Sequence, residues 1–174
     1  TDLTFTFRGM SDLASLDLSN FNTANVLGMS GAFAYMTSLT SLDLSSFNTS
    51  NVTSMGAMFE GSSSLTSLDV SSFNTSSVTA MSYMFTNVPL SSLDLSHFNT
   101  SQVTGMVRMF SGMSNLTSLN ISNFNTANVS DMNYMFANTP LSSLDLSHFN
   151  TSLVTNMQAM FGGMANLNSL NIST

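Results

Sequence analysis

The residues with most chemical potential form a column of acids: Asp17, Asp43, Asp69, Asp94 and Asp145, with Asn120 and Asn171 in the matching positions. Each is flanked by serine, as in Ser41-Leu42-Asp43-Leu44-Ser45. Carboxylates repeating at the ~4.8 Å spacing of paired strands could bind Ca²⁺, act as the acid pair of a glycosidase, or recognise a ligand. Ca²⁺ needs six to eight oxygens converging on a point, and a flat ladder converges poorly. A glycosidase pair needs one carboxyl raised in pKa by burial, whereas a repeated, interchangeable column on an exposed face singles out no pair. Solvation with serine hydrogen bonds, ligand recognition and a bound cation all remain readings of the column. The functional one assigns ligand binding to Ser41, Asp43, Ser45, Ser67, Asp69, Ser71, Ser92, Asp94 and Ser96, with no catalytic residue, metal or cofactor.

The remaining reactive types are placed less suggestively. The methionine column Met29, Met55, Met81, Met106, Met132 and Met157, with its partners Met58, Met84, Met109, Met135 and Met160, could be a soft-metal site but reads as gap-filling core. His97 and His148 lie in equivalent positions two repeats apart, too distant to share a metal, and read as surface residues. Tyr83 and Tyr134 read as partly buried packing. No G-x-S-x-G elbow singles out a serine nucleophile. The Asn-x-Ser/Thr sequons, Asn48, Asn51, Asn74, Asn99, Asn128 and Asn150, follow from a repeat built of Asn, Ser and Thr.

These columns exist because the chain repeats. Phe-Asn-Thr recurs at Phe21, Phe47, Phe73, Phe98, Phe124 and Phe149, and L-x-L-S or its variants keep the same beat at Leu16, Leu42, Leu68, Leu93, Leu119, Leu144 and Leu170. A period this regular means stacked units that cannot stand alone. Period-two alternation of Leu42 and Leu44 against Ser41, Asp43 and Ser45 predicts a half-buried strand, so strands are expected near 13–19, 39–45, 65–71, 90–96, 116–122, 141–147 and 167–173. Val52, Met55, Met58 and Phe59 share one face at helical spacing. They predict a short helix capped by Thr49 or Asn51 and closed by Gly61. The Phe-Asn-Thr phenylalanines should form a buried stack, with Asn22, Asn48, Asn74, Asn99, Asn125 and Asn150 as an amide ladder between rungs. Pro89 and Pro140 occur in the shorter rungs and mark a duplicated two-rung unit.

Composition narrows the function. Of 174 residues, 43% are hydrophobic and 6% charged, with two basic residues against nine acids for a net charge of −7. That excludes nucleic-acid binding and docking on anionic membranes, both of which need clustered Lys and Arg. With no Cys there is no thiol nucleophile or disulfide, and no apolar run approaches a membrane span, so the chain reads as soluble. The rung at Leu167–Thr174 lacks a polar cap, and Phe5 and Phe7 look like the tail of an earlier helix. The chain therefore reads as one repeat domain, 1–174, cut from a longer protein and prone to end-to-end self-association.

The pattern L-x-x-L-x-L at Leu39, Leu42 and Leu44 is that of a leucine-rich repeat. The full run from Leu39 to Phe59, L-T-S-L-D-L-S-S-F-N-T-S-N-V-T-S-M-G-A-M-F, closely resembles the bacterial surface-protein repeat of BspA-like type over nearly the whole chain. Two departures stand out: Asn48 and its equivalents are displaced by one position, and Met10, Met36, Ser62, Met113 and Met164 fill a slot where Cys is frequent. The fold expected is an α/β, leucine-rich-repeat-like right-handed solenoid of about seven rungs, with a parallel sheet on one face and short helices on the other. The resemblance implies a non-enzymatic adhesin segment, extracellular on a bacterial cell surface or cell wall. Its partner would be a host matrix protein, a glycan or a neighbouring cell. A structural stalk, and an ice-binding or Ca²⁺-binding ladder, are the alternatives; Ser and Asp in place of paired Thr argue against ice.

Overall fold

A computed structural model describes residues 1–172. The last residue of the strand expected near 167–173, Ser173, and Thr174 after it lie outside the described residues. The strands are β1 (Ser41–Leu42), β2 (Ser67–Leu68), β3 (Ser92–Asp94), β4 (Ser118–Asn120), β5 (Ser143–Asp145) and β6 (Ser169–Asn171). They pair in parallel as three separate two-stranded sheets, β1 with β2, β3 with β4 and β5 with β6. In register, Ser41 faces Ser67, Asp94 faces Asn120 and Asp145 faces Asn171.

This overturns the expected α/β solenoid. Among the described residues there is no helix and no continuous sheet, and the strand expected near 13–19 does not form. The apolar spacing that predicted a helix at Val52–Phe59 belongs instead to consecutive tight turns. Met58, Glu60 and Ser62 donate backbone N–H bonds to Met55, Ala57 and Phe59, three residues back, at 3.1–3.2 Å. The alternate N–H groups leave the repeat: Met55, Ala57, Phe59 and Gly61 donate to the carbonyls of Ala80, Ser82, Met84 and Thr86 at 2.8–3.0 Å. A helix would direct its N–H groups to its own carbonyls four residues back, leaving none for a neighbour. Phe5 and Phe7 are likewise no helix tail, since they donate to Ser30 and Ala32 in the same lateral pattern.

Turning every second residue outward has a conformational cost. Ala57 (φ 55°) and Gly61 (φ 68°) are left-handed, and the equivalent positions include Tyr83, Arg108, Tyr134 and Ala159, and Tyr35, Asn87 and Asn138. For non-glycine residues this region costs about 1–2 kcal/mol, so the lateral bonds and the packing must hold it. At Gly61 a Cβ would in addition lie 2.5 Å from the Tyr35 ring, so a larger residue there would have to displace that ring.

The core lies between the turn segments and the short strands. Met29, Met55, Met81, Met106 and Met132, with Met58, Met84, Met109 and Met135, are fully buried, as expected; Met157 is exposed. The aromatic stack differs from expectation. Phe7, Phe33, Phe59, Phe85, Phe110, Phe136 and Phe161 stack with centroids 5.4–6.1 Å apart and rings within 19° of parallel. The Phe-Asn-Thr phenylalanines meet that stack at a tilt, as Phe47 does with Phe33 at 48°.

The ladder between Phe-Asn-Thr turns is made by threonine. The buried Thr49 hydroxyl accepts the Asn74 N–H at 2.8 Å and donates to the Asn74 carbonyl at 3.0 Å, and Thr23, Thr75, Thr100 and Thr126 do the same. Asn48 and its equivalents instead accept the N–H two residues on in their own turn, so they are not the rung-to-rung ladder expected. A third column, Thr53, Thr79, Thr104, Ser130 and Thr155, is exposed and donates its hydroxyls to the preceding repeat.

Thr75→Val keeps the shape of a buried side chain but strips both backbone groups of Asn99 of their partner. It should cost about 1–3 kcal/mol, read by denaturant unfolding, whereas Thr79→Val on the exposed column should stay within about 0.5 kcal/mol. Equal effects would refute the assigned role of the buried ladder.

Candidate functional site

The expected site residues lie where the sequence placed them along the repeat. All but half-buried Ser96 are exposed, yet they do not share one sheet. Ser41 and Ser67 pair, and Ser92 pairs with Ser118, but no strand pairing joins β2 to β3. The interruption falls between Asp69 and Asp94, just after the shortened rung that contains Pro89; the second, between β4 and β5, follows Pro140. Each shortened rung lacks one residue before its strand, beside its proline, and there the strand does not pair with the preceding one.

Each aspartate is tied into its own turn. The Oδ1 atoms of Asp17, Asp43, Asp69, Asp94 and Asp145 accept the N–H of Ser19, Ser45, Ser71, Ser96 and Ser147 at 2.8–2.9 Å. Asn120 makes the same contact with Ser122 at 3.3 Å. This closes an Asx turn, takes the serine N–H out of the ladder and ends each strand after two or three residues. Bonds from the serine N–H, and next from its hydroxyl, hold all five carboxyls below the ordinary carboxylate pKa. The carboxylates are therefore ionised on an exposed face, each with acceptor capacity to spare.

The histidines do more than sit beside a strand. His97 Nε2 is 3.0 Å from the Val70 carbonyl and His148 Nε2 is 3.0 Å from that of Ile121. A carbonyl can only accept, so Nε2 carries the proton. Each ring stands edge-on to the next phenylalanine, Phe98 or Phe149, at 5.0–5.1 Å. Both bridge the places where strand pairing fails. The second of these opens a cleft of ≈ 320 Å³ lined by Leu119, Asn120, Ile121, Ser122, Ser143, Leu144, Asp145 and His148. Sequence reasoning missed it; the signal was the coincidence of Pro140 with the shortened rung and His148. A larger, mostly apolar cleft of ≈ 610 Å³ is the uncovered core beside Phe149, Met157, Phe161 and Ile172.

Elsewhere the charges are engaged locally. The Arg8 guanidinium lies 5.0 Å from both the Phe5 and Tyr35 rings, and that of Arg108 lies 4.6 Å from Tyr134. Tyr134 is thus a cation–π partner as well as packing. Burial, then the hydrogen bond to Glu60, pushes the Tyr35 hydroxyl up in pKa. Among the described residues no three His, Asp or Glu side chains converge as a metal site, and no helix is long and apolar enough to cross a membrane.

The repeat that generates these columns is matched by a family model described as "Mycoplasma protein of unknown function, DUF285", over residues 1–116 and 89–174. The chain belongs to this family. No significant match to a curated protein was found. The two DUF285 matches together span the chain and overlap at 89–116, within the series of similar rungs.

The depressed aspartate pKa values give this DUF285 chain a definite acid response. In the unfolded chain these carboxyls take up protons near pH 4, before the folded chain does, so the unfolded state binds more protons in that window. The contribution to stability is present above the unfolded value and is lost as the pH falls through the lower folded values. Thermal melts should show a falling midpoint on acidification below about pH 4, with a shallower fall in an Asp43→Asn, Asp69→Asn, Asp94→Asn variant. Identical pH slopes would contradict the turn bonds.

Proposed function

We propose that this chain is a non-enzymatic binding segment of a bacterial surface protein of BspA-like type, facing the outside of the cell. It presents the Ser-Asp-Ser columns to a matrix protein, a glycan or another cell. The observation that carries this reading is the row of ionised carboxylates on one exposed face, each with one oxygen fixed by its own turn. The side chains are thereby pre-positioned, which lowers the entropy lost on binding. The sequence resemblance, the absence of Lys and the repetition of every polar column support binding over chemistry, since catalysis needs one group made different from its copies.

A structural spacer is the second reading. It is favoured by the same Asx bonds, which give each aspartate a folding role without any ligand. The two are separated by comparing the wild type with Asp43→Asn, Asp69→Asn, Asp94→Asn on immobilised matrix proteins and glycans, with and without Ca²⁺. Asn120 already makes the Asx bond, so the variant should fold. Exposed charges contribute roughly 0.2–1 kcal/mol each, so the variant should bind roughly 3- to 100-fold more weakly. Unchanged binding would move the site off these columns, and no binding by either protein would favour the spacer.

A further inference from the structure

The stack of repeats presents two end faces of opposite chemistry. The turn segments bond in one direction: Leu3, Phe5, Phe7 and Gly9 donate their N–H groups to Gly28, Ser30, Ala32 and Ala34, and Met132, Tyr134, Phe136 and Asn138 donate to Asn156, Gln158, Met160 and Gly162, all at 2.8–3.0 Å. The last segment is left with the N–H groups of Met157, Ala159, Phe161 and Gly163, which have no acceptor among the described residues. The first is left with the carbonyls of Asp2, Thr4, Thr6 and Arg8, to which no described residue donates. One face is a row of donors, the other a row of acceptors. The core columns run out at the same two places. Met10 is 44% exposed where Met36 and Met113 are 0%, and Met157 is 45% exposed where Met55 is 0%. Among the described residues, every exposed large hydrophobic side chain lies within 5–35 or 153–172. Phe7 and Phe161, the two ends of the aromatic stack, are half-buried.

Each face needs what the other supplies, and the register matches. Asp2, Phe7, Gly9 and Leu16 stand to Asn156, Phe161, Gly163 and Leu170 at one constant sequence offset, so a second copy laid on the last segment meets it as one internal segment meets the next. Its Phe7 continues the stack from Phe161, and its Phe5 follows Ala159 as Tyr83 follows Ala57 in the same left-handed column. Asn156 comes beside Asp2 and Asn171 beside Asp17, so no two carboxylates of these columns meet across the step in a chain of net charge −7. We propose that copies of this chain join head to tail, the Met157–Gly163 segment of one donating to the Asp2–Arg8 carbonyls of the next. Like faces cannot join this way, because donors would meet donors. The contact is therefore heterologous, and repeating it along the stack builds an open rod instead of a closed ring. The Phe-Asn-Thr corner adds nothing to it. No Phe-Asn-Thr follows Leu170, so the cleft of ≈ 610 Å³ beside Phe149 and Thr151 stays unfilled, which makes the junction weaker than an internal step and the association reversible. The proposal uses neither the Ser-Asp-Ser columns nor a ligand, and so goes beyond the binding reading above.

Sedimentation velocity of the whole chain over a rising concentration series tests this. The mean mass should climb past twice that of the monomer without a plateau. Met157→Asp places a charge on the donor face and Met10→Asp on the acceptor face, where burial in the junction would be costly, so each variant alone should stay monomeric. Mixed in equal amounts, the two still offer one intact face of each kind and should assemble to a dimer and stop there. Circular-dichroism melts check that both variants fold, and a measurement on the wild type needs neither. The Met157, Ala159, Phe161 and Gly163 amides should exchange with solvent roughly tenfold or more slowly at the top of the series than at the bottom. A wild-type plateau at the dimer, or assembly of either variant alone, would mean that like faces join. A monomer at every concentration, with those four amides unchanged, would leave the faces to flanking repeats of a longer chain. Each of these results would overturn the proposal.

Discussion

Everything in this chain depends on a backbone that bonds sideways. In the Met-x-x-Met-Phe segments that have a repeat after them, alternate N–H groups reach the carbonyls of that repeat, as Phe59 does to Met84 and Phe85 to Met109, both at 3.0 Å. A single rung has too little apolar surface to offset its own ordering entropy, and its outward N–H groups would be left without protein partners. The left-handed residues, the tight turns and the stacked phenylalanines follow from meeting this one constraint. Isolated parallel bridges from Asp2 through Gly28, Ser54, Ala80, Gly105 and Asp131 to Asn156 carry it along the described residues without interruption, even where strand pairing fails.

Side chains extend the same bonding where the backbone does not supply it. Thr75 receives and donates for Asn99, and His97 and His148 reach a carbonyl one rung away. This explains a composition poor in charge yet rich in Ser, Thr and Asn: small polar side chains satisfy neighbouring backbone at little desolvation cost. The aspartates belong to the same economy of bonds. Each first shapes its turn, and only its remaining acceptor capacity faces solvent.

Much of this was legible in the sequence. The period, the burial of the Met columns and the positions of Ser41, Asp43 and their copies follow from residue spacing alone. The helices did not survive because Met55, Met58 and Phe59 fall on one face of a helix and equally on one side of consecutive three-residue turns. Only the destination of the Ala57 and Phe59 N–H groups distinguishes the two, and that is a property of the neighbouring repeat. Which phenylalanine column stacks is hidden for a related reason: Phe47 and Phe59 recur with the same period, and periodicity cannot say which set lies face to face. The buried role of Thr49 was hidden beside the more conspicuous Asn48. The cleft at His148 is hidden because it coincides with a rung one residue shorter than its neighbours, to which no motif corresponds.

The account therefore stands on lateral bonding in the turn segments. Through-hydrogen-bond scalar couplings in an isotopically labelled chain report the acceptor of each amide directly. The Phe59 N–H should couple to the carbonyl of Met84, one repeat ahead; coupling to the carbonyl of Met55, four residues back, would make the segment a helix and contradict the account.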